Sequence, residues 1–226
     1  MMCKWCNCPC VKAGKQKDGT QKYQCKSCTK YQQRAYRYLA YDPAVHDQFR
    51  RFEDMGVGVN KAAKFLQISV NTFQKWVLKA ENLKPNLCFP KGCTYDIDEV
   101  QTYIGKRENK YWITYGWHVD LHAPIGLNVG GRSSRDLKGV VDEVLSNQPK
   151  KINTDRYLAY PGLIPQKLHS RGKRKANCIE NKHKSLRKDI AYLIRETMCF
   201  AKSRRMLEAR IRWYFWAKME PDFFLK

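Results

Sequence analysis

Three acidic residues in a strongly basic chain stand where divalent-metal chemistry would want them. Asp98 lies in the alternating segment Thr94-Tyr95-Asp96-Ile97-Asp98-Glu99-Val100-Gln101-Thr102-Tyr103-Ile104, Asp155 ends the run Lys151-Ile152-Asn153-Thr154-Asp155, and Glu180 opens a helical stretch to Ile194. Arg187 follows Glu180 by two helical turns, on the same face. Lys+Arg outnumber Asp+Glu 43 to 21, so carboxylates are scarce and their placement carries information. The order strand-Asp, strand-Asp, helix-Glu suits a two-metal phosphoryl-transfer site, in which paired cations serve an in-line displacement at phosphorus.

A second set of metal-ligating residues lies at the other end of the chain. Cys3-Lys4-Trp5-Cys6-Asn7 and Cys25-Lys26-Ser27-Cys28-Thr29 are two copies of one knuckle. Four thiolates at this spacing can close a tetrahedral zinc site, and a segment this small needs such a staple to fold. Cys3, Cys6, Cys25 and Cys28 are the expected ligands of one structural zinc. Cys8 and Cys10 lie close enough in sequence to replace a member of the first pair. Six of the ten cysteines fall within the first 28 residues, and the N-terminus lacks the apolar core of an export signal. Clustering of that kind in a reducing compartment reads as metal binding and not as a disulfide framework.

The elements that must position these groups follow from pattern. Residues 1–40 form the Cys- and Lys-rich zinc-binding module. Residues 41–82 are helical: Asp42-Pro43 caps and starts a helix through Met55, Gly56 and Gly58 interrupt it, and two further helices run from about Asn60 to Leu66 and Asn71 to Lys79. The segment 61–77 has the pattern of a helix-turn-helix DNA-binding domain. Ala63 permits close helix packing, Ile68, Phe73, Trp76 and Val77 supply the core, and Asn71, Thr72, Gln74 and Lys75 would face a major groove. Gln67 occupies the turn where Gly is usual. Residues 83–93 hold Pro85, Pro90 and Gly92 and read as a linker.

From Thr94 the pattern turns to strands. Segments 94–104, 110–121 and 125–129 suggest a meander, and 133–146 an amphipathic helix capped by Ser133 or Ser134. A short buried strand spans 151–153, a weaker one 163–169, and the remainder is helical. Residues 94–226 thus form an α/β unit with the element order of a ribonuclease-H-like catalytic domain, and the fold class is multi-domain. Both Asp96 and Asp98 project to one side of the first strand while Glu99 projects to the other, so alternation leaves Asp96 open as the first ligand and sets Glu99 aside. His169 and His183 also fall near these acids, more in keeping with a polar contact or phosphate binding than with ligation.

A net charge of +22 argues for a polyanionic partner, nucleic acid above all. The basic excess over residues 167–218 has the size of a DNA-facing surface. No segment approaches the roughly 20 apolar residues needed to cross a bilayer, so no membrane role is expected, and the expected location is cytoplasmic, in association with the nucleoid.

The chain resembles the insertion sequence 1 family of bacterial transposases over nearly its whole length. Asp98-Glu99 with Tyr103-Ile104-Gly105-Lys106 and Asn109-Lys110-Tyr111-Trp112 is similar to that family's first acidic block. Thr154-Asp155 with Tyr160 is similar to the second, and Ile179-Glu180-Asn181 with Leu186-Arg187 to the third, followed by Cys199-Phe200-Ala201-Lys202-Ser203. Tyr157 stands where the family often has Trp. The resemblance implies that Asp98, Asp155 and Glu180 bind Mg²⁺ or Mn²⁺, two ions in all, and prefers Asp98 over Asp96. It places Arg187, with Lys184 beside it, against DNA. It further implies an oligomer acting on double-stranded DNA: recognition of the element's terminal inverted repeats, then metal-dependent strand cleavage and strand transfer. The alternatives are a DNA-binding regulator without catalysis, and a nuclease or resolvase on the same fold.

Overall fold

The computed structural model describes residues 1–35, 38–83, 87–172, 177–193 and 200–217. Pro85, Ile194 and Cys199, which figure in the sequence reading, lie outside them. Strands β1 (Cys10–Lys15), β2 (Gln21–Cys25) and β3 (Tyr31–Gln32) form a small antiparallel sheet beside the two cysteine knuckles. The knuckles repeat one geometry. The amide of Asn7 donates to the Cys3 carbonyl and that of Thr29 to the Cys25 carbonyl, and Asn7 and Thr29 both have left-handed backbones, with φ of 55° and 59°. Buried Gln32 sews the first knuckle to β3: its Nε2 donates to the Met2 carbonyl at 2.9 Å and its Oε1 accepts from the Lys4 amide at 3.0 Å.

Helices α1 (Pro43–Asp54), α2 (Val59–Phe65) and α3 (Val70–Leu78) follow. The Asp42 carboxylate caps α1 through the Ala44 amide, with Pro43 in the first turn, and Ser69 caps α3 through the Thr72 amide. Between α2 and α3, Gln67 adopts φ 53°, the left-handed conformation that makes Gly usual there. Phe49, Ala62, Ala63, Phe73 and Val77 fill the center of this unit.

Strands β4 (Thr94–Tyr103), β5 (Lys110–His118) and β6 (Ala123–Gly130) form the expected antiparallel meander. Helix α4 (Ser134–Ser146) then crosses over to β7 (Lys151–Thr154), which pairs parallel with β4, and β8 (His169–Arg171) pairs parallel with β7. The sheet order is β6-β5-β4-β7-β8. Of the two possible caps for α4, Ser133 is the one used, in a reciprocal capping box with Asp136. Helix α4 lies so close to the sheet that a Cβ on Gly116 would stand 2.7 Å from Val144 Cγ2. The opposite face carries α5 (Asn177–Asp189) and α6 (Arg204–Trp216).

Two expectations shift. The strand expected over 163–169 is displaced: Tyr160–Gly162 is a 3₁₀ turn, the Leu168 amide closes a turn on the Pro165 carbonyl, and pairing begins only at His169. A turn through Pro165 cannot also donate to a strand ladder. The helix expected from Glu180 begins at Asn177 and stops at Asp189, with a separate 3₁₀ turn at Ala191–Leu193. The linker leucines Leu83 and Leu87 and the aromatic Phe89 pack onto the cores of the α/β unit.

Helix α6 serves two cores. Leu207, Ile211 and Phe215 pack beneath the sheet, while Ala209 and Trp213 complete the core of α1–α3. The Trp213 and Phe49 rings meet edge to face at 5.2 Å. Beside them Arg210 Nη2 lies 3.0 Å from Glu53 Oε1, with both side chains almost wholly buried. This is an ion pair by distance, and its alignment falls short of a hydrogen bond. Arg210→Met would leave the Glu53 carboxylate buried without a countercharge, a loss of about 3–5 kcal/mol in urea unfolding. Changing both residues together, Glu53→Leu with Arg210→Met, should recover most of that loss.

Candidate metal centers

Parallel pairing of β4 with β7 builds the acidic site. Asp96 stands opposite Asn153 in the ladder, so two residues further along each strand Asp98 comes level with Asp155. Asp155 lies just past the last residue of β7, at the carboxyl end of a parallel strand beside the point where the sheet order reverses, where α/β sheets place their sites. Glu180 lies exposed in the first turn of α5, near enough for its charge to act on Asp98, but it stands outside the cluster formed by Asp98, Glu99 and Asp155.

Asp96 and Asp98 project to the same side of β4, as alternation requires, but their surroundings differ. Asp96 is buried, at 1% exposure. Its Oδ1 accepts from Asn153 Nδ2 at 2.8 Å, and the amides of Ile179 and Cys178 in the first turn of α5 donate to its carboxylate. Burial pushes its pKa up and these donors oppose the rise. Asp96 is therefore spent on holding three elements together. Asp98 accepts from the Glu99 amide at 2.8 Å. Burial, and then the charges of Glu99, Asp155 and Glu180, push the Asp98 carboxyl up to about 7, the signature of a desolvated cluster short of positive charge.

Ligand atoms of Asp98, Glu99 and Asp155 lie within 4.8 Å of one another. Glu99 had been set aside because it projects to the far side of β4, and its backbone does so. Since β7 stops at Thr154, however, the Glu99 side chain reaches past the strand end and meets Asp155. One guanidinium joins the two: Arg132 Nη2 is 3.1 Å from Glu99 Oε2 and 3.2 Å from Asp155 Oδ2. The Asp155 Oδ1 accepts from the Tyr157 amide at 2.8 Å, and Glu99 Oε1 from the Tyr160 hydroxyl at 2.9 Å. Arg132 is a site residue that sequence reasoning passed over, while Tyr157 and Tyr160 were noted only as part of the second acidic block. The available signal was the strand-to-helix joint Gly130-Gly131-Arg132-Ser133, which sets a basic residue immediately before a helix cap.

His183 Nδ1 lies 3.7 Å from Asp98 Oδ2, too long for a hydrogen bond. Burial, reinforced by Arg187, lowers the His183 pKa to about 4, so the ring is neutral at pH 7. His169 is instead hydrogen-bonded to Thr154 Oγ1 at 2.7 Å. Arg187 lines a cleft of about 390 Å³ with Val100, Thr102, Tyr103 and Arg107, along the strand and helix that carry Asp98 and Glu180. Lys184 is exposed on α5. On α3, Asn71 and Lys75 are exposed while Thr72 and Gln74 are half-buried. The Thr72 hydroxyl is engaged by Ser69 at 2.8 Å and Tyr38 at 2.6 Å.

At the N-terminus, the Sγ atoms of Cys3, Cys6, Cys25 and Cys28 also lie within 4.8 Å of one another. Cys3–Cys28 and Cys6–Cys25 are separated by 3.5 and 3.4 Å, close to the roughly 3.8 Å edge of a tetrahedron with 2.3 Å zinc–sulfur bonds. The donor set fits that ion. The amide of Cys28 pulls the Cys25 thiol down to about 6. Cys8 and Cys10 stand outside the four: Cys8 donates to the Cys6 carbonyl, and Cys10 accepts from Gln32 at 3.1 Å. The acidic donors are hard oxygens suited to Mg²⁺ or Mn²⁺ and not to a soft-ligand metal.

A profile described as IS1 transposase matches residues 93–220, more than half of the chain. A curated relative, the insertion element iso-IS1n protein InsB of Shigella dysenteriae, is 22% identical over 108 residues, covering 48% of this chain and 82% of that protein. Among solved structures, the HTLV-2 integrase catalytic core domain in complex with magnesium (trimeric form) aligns with a TM-score of 0.37 at 14% identity, covering 55% of this chain and 86% of its own. The Drosophila P element transposase strand transfer complex aligns with a TM-score of 0.33 at 10% identity, over 58% of this chain and 36% of its own.

Asp96 and Asp98 should respond oppositely to substitution. Asp96→Ala strands the Asn153 amide and the α5 amides, costing roughly 2–3 kcal/mol in urea unfolding. Asp98 has a folded-state pKa of about 7 against an ordinary value of 3.8. Its contribution to stability is present below the lower value and lost as pH rises through the higher. Metal-free Asp98→Asn should therefore be more stable than the unaltered protein, by a margin that grows between about pH 4 and pH 7 and then levels off.

Proposed function

The chain belongs to the IS1 transposase family, and from that premise we propose that it is a metal-dependent DNA transposase in which Asp98, Asp155 and Glu180 hold the catalytic cations. The observation that carries this reading is the parallel β4–β7 register, which sets Asp98 level with Asp155; the place of Glu180 in the first turn of α5 is compatible with it. Two divalent cations held there would supply activation of a water or 3′-hydroxyl and stabilization of the leaving oxygen.

The chain's own residues do the rest. Asp98 presents carboxylate oxygens from the middle of β4, Asp155 from the end of neighboring β7, and Glu180 from a separate layer, so the site closes only in the folded domain. Neutral His183 packs beside Asp98 without adding charge. Arg187 and Lys184 on α5 hold the DNA backbone against the acids, and affinity that rests on such contacts falls steeply with salt. The helix-turn-helix of α2 and α3 recognizes the terminal inverted repeats, with Asn71 and Lys75 the members open to a groove and Thr72 and Gln74 at its margin. The four-cysteine cluster holds one structural zinc that fastens the N-terminal module. The domain division is then 1–40, 41–82 and 94–226, with 83–93 between. Two DNA ends must be handled together, so the working form is an oligomer on double-stranded DNA. Among the described residues no helix is long and apolar enough to cross a membrane.

Two outcomes test this reading. Asp155→Ala should abolish Mg²⁺-dependent cleavage and strand transfer on DNA carrying the element's ends while leaving end binding intact; retained activity would sink the catalytic assignment. Metal analysis of the purified protein should find about one zinc per chain, and Cys28→Ser should lose it. Full zinc content in that variant would exclude the four-thiolate site.

A further inference from the structure

We propose that Arg132 is a positioning residue for Asp155, and that Glu99 serves this arginine and not the catalytic cations. The inference rests on the metal-site reading above and adds a supporting layer to it.

The guanidinium is fixed from four sides. Its Cζ lies 3.8 Å from the center of the Tyr157 ring and 4.5 Å from that of Trp112, between two aromatic faces. The Tyr157 hydroxyl donates to the Arg132 carbonyl at 2.7 Å, which holds the backbone of the same residue. Glu99 supplies the countercharge at 3.1 Å from a wholly buried side chain. Both Glu99 oxygens are occupied, one by Arg132 and the other by the Tyr160 hydroxyl.

Asp155 is the opposite case. It follows the end of β7, outside the strand ladder, and its side chain is 39% exposed. Its Oδ1 takes the Tyr157 amide and its Oδ2 takes Arg132. A carboxylate at a strand end has rotational freedom, and Arg132 is the side chain that, with the Tyr157 amide, removes it. Tyr157 takes part twice, as a lid on the guanidinium and as a donor to Asp155. The geometry needs a planar cation that stacks and bonds at once, which arginine provides and lysine does not. Such outer partners orient ligands, and their loss typically weakens metal binding about 10–100-fold.

The rival role for a cation among carboxylates is competition, in which Arg132 occupies ground that the metal must take. The two roles give opposite signs. Mn²⁺ is titrated calorimetrically into the full chain and into Arg132→Gln, Arg132→Lys and Trp112→Leu, with melting of the metal-free proteins followed in parallel. Positioning requires Mn²⁺ binding at least tenfold weaker in Arg132→Gln and no recovery in Arg132→Lys. Trp112→Leu, which removes one face of the clamp and touches no acid, should bind about two- to fivefold more weakly. Should Arg132→Gln fail to fold, Arg132→Lys and Trp112→Leu carry the test. Unchanged or tighter Mn²⁺ binding in the folded variants overturns the proposal, as does a loss confined to melting temperature. An unaltered protein that takes up no Mn²⁺ overturns the metal reading as well, a failure distinct from that of the arginine.

Discussion

One buried carboxylate organizes the acidic site of the α/β unit. Asp96 accepts from Asn153 at 2.8 Å and from the first-turn amides of Cys178 and Ile179. Each partner is a near neighbor of a site acid: Asn153 lies two residues before Asp155, Ile179 one before Glu180, and Asp96 itself two before Asp98. A single side chain therefore locks the register of β7 against β4 and seats the N-terminal end of α5. Negative charge at a helix N-terminus is favorable, which offsets part of the cost of burying Asp96. A slip of the strand pairing by one residue would turn Asp155 away from Asp98, and the hydrogen bond to Asn153 is what such a slip would break.

Electrostatic strain is concentrated in one place. The chain has few acids, yet it gathers several where burial raises the Asp98 carboxyl to about 7. No folding advantage comes from that arrangement, and strongly perturbed carboxyls of this kind mark candidate functional sites. Arg132 relieves part of the repulsion on the Glu99 and Asp155 side, while Asp98 has the Glu99 amide at 2.8 Å and a neutral histidine at 3.7 Å. The cluster is thus divided into a compensated side and an uncompensated one, with the latter facing α5.

Helix α6 gives the molecule a second constraint, at the level of modules. Its opposite sides complete the core beneath the sheet and the core of α1–α3. The buried Glu53–Arg210 pair lies in that shared seam, and Arg205 adds a contact to Glu81 at 2.7 Å near its rim. The helical unit and the α/β unit are consequently packed through one helix and not merely strung on a linker, so the orientation of α3 relative to the acids is set by packing.

How much of this was legible beforehand differs element by element. The cysteine knuckles, the Asp42-Pro43 helix start, the meander and the amphipathic α4 follow from local spacing and periodicity, because ligand spacing, capping and hydrophobic alternation act within a few residues. Asp98 and Asp155, which the structure brings together, were legible for the same reason, each from its own element, as was the place of Glu180 at the start of α5. Local pattern also limits what can be read. Alternation along β4 left Asp96 and Asp98 equivalent and discarded Glu99, since it describes which way a side chain leaves the strand and not what it meets. Only the tertiary structure decided that Asp96 is consumed by Asn153 and α5, that Glu99 passes the end of β7 to share Arg132 with Asp155, and that the cysteines brought together are Cys3, Cys6, Cys25 and Cys28, with Cys8 and Cys10 outside them. These outcomes depend on contacts between residues 19 to 83 positions apart, and a contact of that range is fixed by how whole elements pack, not by any window of sequence.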